Sequence, residues 1–132
     1  MNFMAQLQEM RSFGGQPLTV GLSDEIIEKF AQDYPELQTA ITDAYQQHLA
    51  LREQYGDLLR QDEESIIREL QAGYVNFYAD DAVNPYVTLA ARGPWIITIT
   101  GAVLHDSGGY GMLGLGHAPQ VILDAMSRPH VM

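Results

Sequence analysis

Cysteine is missing from this 132-residue chain, which removes disulfides and thiolate metal sites and fits a cytoplasmic location. Lysine is almost missing too: Lys29 is the only one. Chemistry that needs a Schiff-base lysine therefore has a single candidate. Basic residues are scarce, seven against 17 acids, for a net charge of −10. That imbalance repels phosphate backbones and anionic lipid, so no nucleic-acid or membrane partner is expected. Apolar runs last only a few residues, too short to span a bilayer. The opening "MNFMAQLQEM" has neither a basic region nor a continuous apolar one, so a secretory signal is not expected. Internal repeats and low-complexity tracts are absent as well.

What is present reads as globular: 46% of residues are apolar and 18% charged. The length suits one domain or slightly less. The first half has helical periodicity. Phe3, Met4, Leu7 and Met10 share a face in an opening segment that stops at Gly14-Gly15. Ser23 is placed to cap a second helix carrying Ile26, Ile27 and Phe30, with Asp24 and Glu25 at the positive end of its dipole. It should end near Tyr34, because the residue before Pro35 is pushed out of the α region. Pro35 suits the first turn of a third helix, with Leu37, Ile41, Ala44, Tyr45, His48, Leu49 and Arg52 as its stripe and Gly56 as its close. A fourth runs to about Ala72, with Ile66, Ile67 and Leu70 inward and Gly73 as the stop. Residues 1–73 thus form a helical N-terminal region, expected to carry most of the independent stability.

Composition shifts after Gly73. Residues 74–93 are a connecting segment without a predicted regular element. "WIITIT" (95–100) is β-branched and aromatic, and "AVLHD" follows Gly101, so residues 94–106 predict a β-hairpin turning at Thr100-Gly101. "PQVILDAMSR" predicts a last short helix with Pro119 at its start. The fold class is α+β. "WIITIT" has apolar or β-branched residues at every position, so both faces need cover. One short helix cannot supply it, and residues 86–132 are expected to pack against something outside the monomer, as a two-fold dimer if the chain stands alone.

Five of the 12 glycines fall at positions 108, 109, 111, 114 and 116. "GYGMLG" formally matches the dinucleotide fingerprint, which works only where a strand turns into a helix facing a pyrophosphate. Such a helix would hold three glycines, each costing ~1 kcal/mol against alanine, and then meet Pro119. The fingerprint reading is rejected. No P-loop is present, since Lys29 follows no glycine cluster. His105 and Asp106 are strand neighbours pointing to opposite faces, a poor pair for one metal. Asp106 is read as a brace for the loop and His105 as partly exposed. Ser107, Asp106 and His117 supply the residue types of a triad without the GxSxG elbow of a hydrolase. His48, in its helical stripe, reads as a packing histidine. Lys29 has Glu25 four residues earlier and reads as a solvated surface lysine, not an activated amine.

"WIITITGAVLHDSGGYGMLGLGHAPQVILDAM" resembles the N-terminal segment of class III aminotransferases, pyridoxal-phosphate enzymes of fold type I. Gly101 matches the family's hairpin turn, Asp106 its strand-end aspartate, Gly116-His117 its Gly-His pair and Pro119 its helix start. Val121 and Ala125 fit the helix that follows. The resemblance covers residues 94–128, and the His117–Pro119 spacing is one residue shorter than the family's usual pattern. It implies a substrate- and cofactor-proximal loop over Ser107, Gly108, Gly109, Tyr110 and Gly111, with Tyr110 as the side chain facing substrate. It also implies amino-group transfer between an amino acid or amine and a 2-oxo acid. No catalytic residue of that chemistry is assigned within this chain, which lacks a suitably placed lysine. The partner implied is the remainder of a longer enzyme, or a second copy in a homodimer. Two readings stand beside it: a non-catalytic helical protein-interaction module with a structural glycine loop, and a small ligand-binding domain.

Overall fold

The computed structural model describes residues 2–74, 79, 86–107 and 114–130. Helices α1 (Phe3–Phe13), α2 (Asp24–Asp33), α3 (Pro35–Leu59) and α4 (Glu63–Gln71) precede strands β1 (Thr88–Arg92), β2 (Trp95–Thr98) and β3 (Val103–His105), and α5 (Gln120–Met126) follows. The strands form an antiparallel meander in the order β1-β2-β3. The fold is α+β.

The helices start where local chemistry directs. Asn2 caps α1 by accepting from the Ala5 N–H at 2.8 Å. Ser23 occupies the cap position of α2 but makes no side-chain capping bond. Pro35 begins α3, as its fixed φ favours. One helical boundary and one helical face differ from expectation. Gly56 does not close α3, which continues to Leu59 across a kink at Tyr55 (φ −131°, ψ 31°). Leu70 does not face inward on α4: it is 44% exposed, while Ile66 and Ile67 are buried.

The expected hairpin turns at Gly101, whose φ of +72° is left-handed and natural only to glycine. Its partner strand β1 arises in the segment read as a connection. Arg92 pairs with Trp95, Ala91 with Ile96 and Ala90 with Ile97, with an irregularity between Thr88 and Ala90.

One core joins the two halves. Leu7 and Met10 of α1, Ile27 of α2, and Leu37 and Ile41 of α3 pack with Trp95, Ile97 and Val103 of the sheet, all at most 1% exposed. Every residue of β2 is buried. The cover expected from outside the monomer is thus supplied inside it, and the reason is β1 together with the helical face. The helical region is not a separate core to which a hairpin is appended. Leu59, Ile66 and Ile99 form a smaller cluster beside it. Exposed apolar surface lies on α5 among other places, since this helix buries no residue and leaves Val121 69% and Met126 66% exposed. No described helix is long and apolar enough to cross a membrane.

Candidate functional site

The glycine-rich loop leaves β3 at Asp106 and returns at Gly116-His117, and its two ends are fastened together. The Asp106 carboxylate accepts from His117 Nε2–H at 2.8 Å, and the Asp106 N–H donates to Pro94 O at 2.7 Å. Gly93 and His117 exchange both backbone hydrogen bonds, at 3.0 and 2.8 Å. This pairing demands glycine on both sides: a Cβ at Gly116 would sit 2.7 Å from Gly93 Cα, and φ is +73° at Gly116 and +52° at Gly93. Asp106 and His117 are each about one quarter exposed, at 22% and 24% of their side chains. They form a neck that seats the loop on the β1–β2 turn.

The residues singled out from sequence fall on both sides of what is described. Ser107 is exposed at the loop's exit from the neck. Gly108, Gly109, Tyr110 and Gly111 lie outside the described residues. His105 is exposed and meets the Trp95 ring edge-on at 5.0 Å. It faces away from the Asp106–His117 pair, as strand alternation requires. Ala118, just past the neck, holds a left-handed φ of +47° without being glycine, a conformation that carries strain. Among the described residues no group of three or more His, Cys, Asp or Glu side chains is placed to hold a metal.

Lys29 is exposed on α2, with Glu25 and Glu28 on the same helix. This chain's only lysine is thus an exposed side chain among acidic ones, a setting that does not fit covalent attachment of pyridoxal phosphate.

Two polar clusters that sequence reasoning missed, or saw only in part, fasten the helices. Glu9 of α1 accepts from Tyr45 Oη and Arg52 Nη1 of α3, both at 2.7 Å. Arg52 Nε donates to His48 Nδ1 at 2.8 Å, and the guanidinium lies 4.2 Å from the Phe13 ring centroid. The Tyr45 hydrogen bond, then Arg52, lowers the Glu9 pKa, and the same Glu9 contact raises that of Tyr45. Burial, then the Arg52 charge, lowers His48 to about 4. His48 is therefore a neutral, satisfied core histidine. In the second cluster Glu63 of α4 is fully buried and accepts the Leu18 and Thr19 N–H groups, both at 2.7 Å, and the Thr19 hydroxyl. In sequence Glu63 is one more acid in a helix's first turn, with no local sign of its distant partners.

Cavities also open among the described residues. One of about 270 Å³ lies between α1, the 14–22 loop and the β2–β3 turn, beneath the Arg11–Asp24 ion pair. Another, about 420 Å³ and open, runs between α3 and β1 and reaches Ala118 beside the neck. Comparison of the chain with protein-family models, curated proteins and solved structures finds no match.

Proposed function

We propose that the chain is the N-terminal portion of a pyridoxal-phosphate-dependent aminotransferase of class III, with residues 107–111 as the loop nearest substrate and cofactor. The observation that supports this reading is the neck. A hairpin turning at Gly101 ends in Asp106, the chain returns at Gly116-His117, and Pro119 opens α5, in the order the family resemblance implies. Asp106, His117 and Gly93 fix both ends of a loop whose small residues let backbone approach a ligand closely. The cofactor, when bound to the longer enzyme, supplies the electron sink for amino-group transfer between an amino acid or amine and a 2-oxo acid. This chain provides the loop and not the lysine, so alone it is inactive. The fold type I assignment, the cytoplasmic location and the pairing with the remainder of the enzyme or a second copy belong to the same proposal.

A different observation favours the second reading, a non-catalytic interaction module. Val121, Ile122, Leu123 and Met126 of α5 are apolar yet exposed, as expected of a helix that seats on a partner.

Isolation of the endogenous polypeptide with an antibody against residues 2–74, followed by borohydride reduction and peptide mapping, separates the two. The aminotransferase reading expects a reduced pyridoxyl-lysine outside residues 1–132. Recovery of the polypeptide without any pyridoxyl-lysine, and without transaminase activity on added cofactor, refutes it.

A further inference from the structure

We propose that the open groove between α3 and β1 binds the zwitterionic head of a free amino acid, with Arg92 taking its carboxylate and Asp43 its ammonium. The groove, about 420 Å³, is lined on one side by Asp43, Gln46 and Gln47 and on the other by Leu89 to Arg92, with Ala118 at its end. Arg92 spends only Nε on Asp43 Oδ2. Its two Nη groups and Asp43 Oδ1 have no partner among the described residues, although the two side chains are only 30% and 39% exposed. One cation and one anion thus sit side by side in the lining of one groove, each partly exposed and with atoms the pair leaves unbonded. The complement of that pair is a ligand carrying an anion and a cation one carbon apart. A ligand with a single charge would satisfy one side chain and face the like charge of the other.

The remaining walls fit the same occupant. Gln46 and Gln47 are exposed on α3 and can donate or accept through their amides. Ala90, Ala91 and Ala118 leave room for a side chain. Ala118 holds its strained backbone here rather than at an arbitrary point on the surface. Strain of this kind gathers at ligand-binding positions. The ion pair itself need not break, because the ligand uses atoms the pair leaves free. The inference stands apart from the aminotransferase reading: it concerns the outer face of the neck and needs no cofactor.

The test is an amide chemical-shift titration of the whole chain with L-alanine, N-acetyl-L-alanine and L-alaninamide. L-Alanine should give saturable shifts at Asp43, Gln47, Ala91 and Ala118. Removal of either ligand charge should weaken binding by about tenfold, the worth of one charge-assisted hydrogen bond. Arg92→Gln should lower the affinity for L-alanine and not that for L-alaninamide, while Asp43→Asn should lower the affinity for L-alanine and not that for N-acetyl-L-alanine. The three-ligand series on the wild type decides the matter even if a variant fails to fold. No saturable shift with L-alanine, equal binding of all three, tighter binding of the acetylated ligand, or shifts mapping away from the groove would each overturn the proposal.

Discussion

His48 links stability to pH through a single side chain. It is 1% exposed, accepts a hydrogen bond from Arg52 through Nδ1, and has its pKa lowered from 6.5 to about 4. A histidine with a lowered folded pKa binds fewer protons folded than unfolded. Stability is therefore full above the unfolded value and declines as pH falls from 6.5 toward 4. The full loss amounts to about 3 kcal/mol. Glu9, also with a lowered pKa, adds its own loss only below its ordinary value of 4.5, so the range above that isolates His48. Urea unfolding across this range should show the decline in the wild type and little of it in His48→Gln, which can still accept from Arg52. Equal slopes would assign the effect to other groups. Gly116 and Gly114 give a second contrast between neighbours. An alanine at Gly116 meets Gly93 backbone and a left-handed φ, whereas nothing lies within 4 Å at Gly114. Gly116→Ala should cost about 1–3 kcal/mol and Gly114→Ala under about 0.5 kcal/mol, read as unfolding midpoints.

Among the elements, what could be read from sequence followed the range of the forces that make them. The starts of α2 and α3 were legible because Ser23 and Pro35 are local signals. The hairpin turn at Gly101 was legible for the same reason, and so was Asp106 as a loop brace. Strand β1 was not. "TLAAR" has weak strand propensity and forms a strand only because β2 offers a ladder and α3 a surface to cover. The Gly93–Gly116 contact spans 23 positions by its residue numbers, and no local pattern announces it. Glu63 was not legible for a related reason: its partners, Leu18 and Thr19, lie over 40 positions away. Those bonds tie the 14–22 loop to α4. Glu63→Ala would leave two backbone N–H groups without their acceptor and should destabilise by at least about 2 kcal/mol. The amides of Leu18 and Thr19 should then exchange faster than those of α1. Unchanged exchange at both would mean that the loop is held by something else.

At the scale of the molecule, α1 to α3 and the sheet share one core, and the loop neck rests on that core through Gly93, Pro94 and Asp106. This is what gives the glycine loop a fixed base, whether it serves a longer enzyme or a partner. Trp95, the only tryptophan in the chain, touches Phe30 of α2 at a ring separation of 5.4 Å, so the sheet cannot open without exposing the helical interface. Native-state hydrogen exchange tests this most directly. The β2 and β3 amides that close the hairpin, those of Ile96, Thr98 and Leu104, should exchange at the rate of global unfolding, together with Ile41 and Ala44 of α3. Sheet amides that exchange well ahead of the α3 amides, with the helices still protected, would show two separable units and contradict the single core.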